Sequence, residues 1–372
     1  QVRKHFQERF PVLVEMAKDW ESNIKKAKLN QDFSNFWKVS FENSDLDLNC
    51  PTFEEGSTVA TRKAFGSVLD KFAKQVPNII GGSADLEPSN YTGNFAEKYG
   101  DFSKENRFGR NLAFGVREFP MAAAMNGIAL HGGYTPFGGT FLVFADYERP
   151  ALRLASIQKC NVIHEFTHDS FWVGEDGPTH QPIEQAMSLR AIPGFNVYRP
   201  ADAKETAASF KLAINSKNGP SALLLTRQGV PVLRHSMEHI ADGVGKGAYA
   251  VIEEENPELV FLATGSEVSL AIDVAGNMSD KRIRVVSMPC WEIFENQSSD
   301  YKHSIIPQRG AMKISFEAGI TLGWERYIGS NGISIGIDHF GASAPGKDLA
   351  EEFGFTAEKI ETKIRKHLKN LL

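Results

Sequence analysis

Apolar positions in the first 50 residues are sparse. Val2, Phe6, Phe10, Val14 and Met16 recur with a weak helical spacing among charged residues, and an Asn- and Asp-rich run then leads to Cys50, so residues 1–50 read as a connector. From Pro51 the pattern changes to short apolar runs alternating with amphipathic ones. Asn78 to Ile80 runs into Gly81-Gly82-Ser83, and 112–116 is a second short apolar run. Pro120 stands where a first helical residue belongs and Gly132-Gly133 where a helix stops, which predicts a helix over 121–131, apolar on almost every side and therefore buried. Strands are predicted at 141–144, 161–166, 195–198 and 222–225, with helices at 151–157 and 183–192. Asp202 followed by Glu205 resembles a capping box, and Ala203, Ala207, Phe210 and Ile214 share one face of the helix it opens. After a polar link over 234–246 the alternation restarts, with strands at 259–263, 284–288, 313–316 and 333–337, a helix at 268–278 and a last helix from Ala357. This grammar predicts two consecutive three-layer α/β domains, 51–235 and 236–372, with mostly parallel sheets.

Composition narrows the function classes. The chain has 372 residues, of which 42% are hydrophobic and 23% charged, a mix that supports substantial cores. A net charge of -5 disfavours nucleic acid as the main partner. The stretch from Phe119 to Ala145 lacks Asp, Glu, Lys and Arg, but its glycines, prolines, Asn126 and His131 mark it as core and not a membrane span. Cys50, Cys160 and Cys290 are odd in number and too widely spaced for a CxxC site, which points to a reducing, cytoplasmic location. The chain opens on Gln1, which reads as a fragment or a processed chain.

Three motifs carry candidate chemistry. His164-Glu-Phe-Thr-His168 satisfies the H-E-x-x-H pattern of zinc peptidases, which needs a helix to bring the histidines within about 6 Å. Here it follows Asn161-Val-Ile163 and reads as a strand, which would hold them about 13 Å apart. The glycines 243, 245 and 247 lack the flanking strand and helix of a dinucleotide loop and read as a flexible link. Gly174-Glu-Asp-Gly-Pro-Thr-His-Gln-Pro182 lies between a strand and a proline-opened helix, where open α/β sheets place ligands; a solvated turn is the plain alternative. Glu118 ends an apolar run and enters the core, so it must be paired, for instance with Arg117 or Arg149, protonated or functional. Phe141, Phe144 and Tyr147 are core by default or else an aromatic slot.

Taken in order, Gly81-Gly-Ser-Ala-Asp-Leu86, Phe114-Gly-Val-Arg-Glu-Phe119, Gly138-Gly-Thr-Phe141, Thr167-His-Asp-Ser170, the Gly174 to Pro182 string and Ala263-Thr-Gly-Ser-Glu-Val268 closely resemble the transketolase family, over nearly the whole chain from about Val59. The resemblance implies a thiamin diphosphate-binding fold, the pyrimidine module, followed by a transketolase C-terminal-like domain. It implies transfer of a two-carbon ketol unit between sugar phosphates in the pentose phosphate pathway, with thiamine diphosphate and Mg2+ or Ca2+. Glu118 matches the glutamate that hydrogen-bonds the cofactor pyrimidine, with a pKa raised by its apolar slot, and Phe141, Phe144 and Tyr147 match the surrounding aromatic pocket. By the same matching Arg62, Ser89, His168 and Arg227 would bind phosphate, Asp176 a substrate hydroxyl, and His180, with Glu118 a catalytic residue, the reacting oxygens. Phe171-Trp172 departs from the family's small or aliphatic pair, and its bulk would narrow the approach to the site. No Gly-Asp-Gly occurs, so the diphosphate and metal ligands are expected in an absent N-terminal domain or subunit, no metal ligands in this chain, a homodimer as the partner assembly, and no activity from this chain alone. The competing readings are another ketol transferase, such as a dihydroxyacetone synthase, a zinc peptidase, and a non-catalytic dimerising or regulatory module.

Overall fold

The computed structural model describes residues 1–42 and 45–370. The parallel sheet of the first half is built from β1 (Ile79–Ser83), β2 (Thr135–Phe141), β3 (Ile163–Thr167), β4 (Asn196–Tyr198) and β5 (Ser221–Leu225), in the order β1-β2-β3-β5-β4. Its strands β3 and β5 are buried at every position, β5 as an almost wholly apolar run and β3 with His164, Glu165 and Thr167 buried among its apolar residues. The second sheet holds β6 (Tyr249–Ile252), β7 (Leu259–Ala263), β8 (Ile283–Ser287), β9 (Met312–Phe316) and β10 (Ile333–Ile335), in the order β10-β9-β7-β8-β6. All its pairs are parallel except β8 with β6, an antiparallel edge that sequence patterning did not show. One apolar cluster runs from Phe65, Phe72 and Phe210 in the first half to Phe261 and Phe316 in the second, so the two sheets share a continuous core.

Several expectations are corrected. The strand expected at 141–144 is the end of β2 followed by a 3-10 turn, Leu142–Phe144, that enters the helix Ala145–Gln158. Glycines disguised this strand. A Cβ at Gly138 would meet the sulfurs of Met121 and Met125, and one at Gly139 would meet Glu165 and Asn90, so both glycines are required by close packing. Pro150, just before the expected helix start, lies inside that helix. The link over 234–246 is not flexible: Met237–Lys246 is a helix, capped by Ser236 through His239 N and ended by Gly247 at φ 82°. Gly243 lets it pack on the ring of Tyr249. The helix Glu118–His131 is buried along only one side, through Met121, Ala122, Met125 and Asn126. Leu130 on its other side is 58% exposed. Residues 1–50 contain two helices, Val2–Ala27 and Gln31–Phe41, with no buried residue among them.

The capping-box expectation holds with one change. Asp202 Oδ1 accepts from Glu205 N at 2.7 Å, while Glu205 reaches back to Ala201 N at 2.7 Å. The expected apolar face of Ala203–Ile214 is buried as a whole. No helix among the described residues is long and apolar enough to cross a membrane.

Candidate active site

Ligand-binding residues of an open parallel sheet belong on the loops at the carboxyl ends of its strands. There β1 leads to Ser89 and Asn90, β2 to Phe144 and Tyr147, β3 to His168 and β5 to Arg227. Asn90 is the buried hub. It accepts from Ser83 Oγ at 2.9 Å and donates to Thr140 O and Thr167 Oγ1 at 3.2 and 3.1 Å, which locks the ends of three adjacent strands together. Thr61 and Thr226 bond each other reciprocally, backbone N to hydroxyl at 2.9 and 2.7 Å, and so set Arg62 and Arg227 side by side. Arg62 Nη1 donates to Ser89 O at 3.0 Å.

His168 takes a left-handed backbone, φ 61°, rare for a residue with a Cβ. Its ring stacks on Phe141 at 3.7 Å and its Nδ1 meets Thr167 Oγ1 at 2.8 Å. Burial, and then the charges of Arg62, Arg227 and His180, lower its pKa to about 3. The imidazole is therefore neutral at pH 7, and the cluster offers two guanidinium charges plus a neutral hydrogen-bonding ring, a donor set suited to a phosphate. Glu165 lies beneath them, fully buried with both oxygens unpartnered, and burial pushes its carboxyl well above the usual range against the pull of Arg62.

The aromatic residues converge on the same edge. Phe141 and Phe144 lie parallel at 5.7 Å, Tyr147 is 5.9 Å from Phe144, and His180 meets Phe144 edge-on at 5.6 Å. Phe144 is only partly covered, which leaves a flat surface suited to stacking a heteroaromatic ring. Glu118 is half-buried in the first turn of its helix and makes no ion pair among the described residues. Arg117 bonds Phe114 O and Arg149 bonds Ser188, so neither arginine neutralises it. Its charge reaches Glu148, adjacent to Tyr147, whose carboxyl is raised by burial first and by Glu118 to a lesser degree, against His164 at 2.9 Å. Asp176 is exposed at the tip of its loop and touches none of these groups.

The H-E-x-x-H segment runs along strand β3 and ends on the residue after it, with His164 paired to Glu148 and His168 stacked on Phe141, so the two rings have separate partners. Among the described residues no group of three or more His, Cys, Asp or Glu side chains could hold a metal ion. The rings of Phe171 and Trp172 do not narrow the site. Phe171 packs against Phe353 and Phe355 at 5.5 and 5.4 Å, and Trp172 lies against Gly346.

Comparison with known proteins decides the family. The family model described as transketolase, pyrimidine binding domain, matches residues 57–232, and the transketolase-like C-terminal domain matches 247–356. The chain belongs to the transketolase family. It is 49% identical to the transketolase of Halalkalibacterium halodurans over 327 residues, 87% of this chain and 49% of that protein. The Bacillus subtilis transketolase is 47% identical over 86% of this chain and 48% of its own length. The chain thus spans about half the length of these curated relatives. Among solved structures, transketolase from Leishmania mexicana superposes with a TM-score of 0.92 at 39% identity, over 99% of this chain and 55% of that one. A chain titled split gene transketolase, inactive beta4 tetramer, shares the fold at a TM-score of 0.67 and 24% identity, covering 84% of this chain and 99% of that one. The transketolase family implies thiamine diphosphate and a divalent metal. The half-open slot of Phe141, Phe144 and Tyr147 fits the planar ring portion of that cofactor. The described residues do not fit its metal.

Sequence reading missed Asn90, Glu165, Glu148 and Arg199. Asn90 lies inside Pro88-Ser-Asn90, but besides Ser83 its partners are Thr140 and Thr167, 50 and 77 residues away. Arg199 binds Asp169 and Glu267 across 30 and 68 residues. No local period marks such residues, although Asp169 and Glu267 both stand in strings that carry the family resemblance.

Proposed function

We propose that this chain supplies the pyrimidine side of a thiamine diphosphate site that transfers a two-carbon ketol unit from a ketose phosphate to an aldose phosphate, the transketolase reaction of the pentose phosphate pathway. The observation that supports this reading is the convergence on one sheet edge of the half-open aromatic slot with Arg62, Arg227 and neutral His168. When bound, the cofactor supplies a thiazolium that stabilises negative charge at a carbonyl carbon. Phe144, flanked by Phe141 and Tyr147, stacks the pyrimidine, and Glu118 holds a proton at a ring nitrogen. Arg62, Ser89, His168 and Arg227 take the substrate phosphate, Asp176 a hydroxyl and His180 the reacting oxygens. The diphosphate and its Mg2+ or Ca2+ fall to an N-terminal domain or subunit such as the relatives' other half provides.

Residues 51–235 and 236–372 act as the two domains in this reading. The exposed apolar side chains Phe119, Leu130, Leu154 and Ile157 form the face on which a second copy makes a homodimer. The three unpaired cysteines suit a reducing cytoplasm.

The test is Glu118→Ala in the full-length enzyme. It should slow proton exchange at the thiazolium carbon by about 100-fold or more, the scale of a lost proton-transfer group, and abolish ketol transfer from xylulose 5-phosphate to ribose 5-phosphate. Circular dichroism should stay unchanged. Exchange at the parent rate would remove Glu118 from the site.

A further inference from the structure

The loop that carries Asp176 and His180 is short of regular structure. It turns at two positive-φ glycines, Gly174 at 86° and Gly177 at 76°, and its internal bonds are His180 N to Gly177 O, Gln181 N to Gly177 O and Gly177 N to Gly174 O, each 3.0–3.1 Å. Glu175, Asp176, Pro178 and Thr179 are exposed and His180 is half-exposed, and such residues do not hold a position by themselves. What holds this loop comes from the other half of the chain.

Residues 341–346, between β10 and the helix Gly346–Glu352, lie along it. Gln181 is buried, and its Nε2 donates both to Gly174 O at 2.8 Å, within the loop, and to Ala342 O at 2.9 Å, across the seam. Ser343 Oγ donates to Glu175 O, next to Asp176. A Cβ built on Gly177 would touch Ser343 at 3.2 Å, so the two backbones are in van der Waals contact. A Cβ on Gly341 would overlap the Gln181 carboxamide, which shows how closely that glycine lets the segment approach. At the loop's amino end, Phe171 and Trp172 anchor it in the second half through Phe353, Phe355 and Gly346. His180, one residue before Gln181, meets the Phe144 ring at 5.6 Å, so this brace ends at the slot itself.

We propose that residues 341–346 are a clasp that sets the position of Asp176 and His180, with Gln181 as the positioning residue through which it acts. The second half of the chain thereby contributes to substrate handling without touching substrate. This deepens the ketol-transfer reading and rests on it for the roles of Asp176 and His180. Replacing the amide by a carboxylate, Gln181→Glu, removes both donors and sets negative charge against two carbonyl oxygens. Gly341→Ala reaches the same bonds from the far side of the seam, at a backbone position outside the left-handed region.

The first measurement is amide hydrogen exchange of this chain, read on peptides covering residues 172–182. Both variants should exchange there at least about tenfold faster than the parent, with peptides of β2, β3 and β5 unchanged. The second is steady-state kinetics in the full-length holoenzyme. There kcat/KM should fall about 10- to 100-fold, the scale of a displacement of roughly 1 Å, while the concentration of thiamine diphosphate giving half-saturation stays the same. Loop exchange at the parent rate in folded variants overturns the clasp. Faster exchange with parental kcat/KM overturns its positioning role. If Gln181→Glu does not fold, Gly341→Ala and the surface change Ser343→Ala, expected to loosen the loop less, decide the outcome. An inactive parent holoenzyme would count against the ketol-transfer reading alone, because the exchange experiment judges the clasp independently.

Discussion

The seam between the two sheets and the face around Glu118 treat charge and apolar surface in opposite ways. In the seam, Arg199 is fully buried and meets Asp169 at 3.0 Å, Thr264 O at 2.9 Å and Glu267, while Arg190 grips Glu317 through two bonds of 2.8 and 2.9 Å. Burial would lower the Arg199 pKa, but the charges of Glu267, Asp169 and Glu317 outweigh it and keep the guanidinium charged. On the Glu118 face the pattern reverses: Tyr147 is 64% and Ile157 59% exposed, and Glu118 has no cationic partner among the described residues. The seam is a finished interface, in which nearly every charge is answered within the chain. The Glu118 face leaves the groups of the proposed site open to solvent. Buried ion pairs tolerate no loss of a member, whereas an open aromatic face gains its function from what docks on it.

The largest expected effect breaks the seam. Arg199→Ala leaves Asp169 and Glu267 buried without their cation and should cost about 3–5 kcal/mol, the usual penalty for an orphaned buried charge, read by urea denaturation. Adding Glu267→Gln should recover part of that loss, because one of the orphaned charges is then neutral. A double variant no more stable than the single one would show that the loss came from packing and not from charge.

What the sequence made legible follows this division. Runs with a clear period, such as Ala203–Ile214 with its Asp202 cap or the continuous apolar strand β7, were read from local pattern because burial of one face dictates their spacing. Strand β2 was misread because Pro136, Gly138 and Gly139 look like a turn, and only the packing of Met121, Met125 and Glu165 against them explains a strand. The helix Met237–Lys246 was read as a link for the same reason, its glycines answering to Tyr249 and not to flexibility. Site residues in contiguous strings were found by resemblance. Gln181 and Arg199 reach partners as far as 161 and 68 residues away, and no local signal encodes that pairing.

A second seam experiment gives a pH signature. Glu205 is fully buried, accepts from Tyr249 Oη at 2.8 Å and Ser287 Oγ at 2.6 Å of the second half, and is raised by burial and by Asp202 to about 7. Its folded pKa lies above the ordinary value of 4.5, so the protonated form favours the folded state. That contribution is complete below about pH 4.5 and is lost as pH rises through about 7. Between pH 5 and 7.5 the parent should therefore lose about 1–3 kcal/mol more stability than Glu205→Gln, measured by denaturant unfolding across that range. Parallel pH profiles for the two proteins would place the ionisation elsewhere.

The smallest stability effect belongs to the open face, and it sharpens the comparison most. Leu130 and Ile157 are 58% and 59% exposed, so Leu130→Lys and Ile157→Lys remove little buried surface from the chain itself and should change its unfolding free energy by no more than about 0.5 kcal/mol. The seam variants lose stability because their partners lie within the fold, whereas these should lose only association. In sedimentation equilibrium the parent should self-associate and the double variant should sediment as a monomer, since a charge placed in an apolar contact must be desolvated to form it. A variant that remains as associated as the parent would move the homodimer contact off this face, and one that unfolds would mean that the face is core after all.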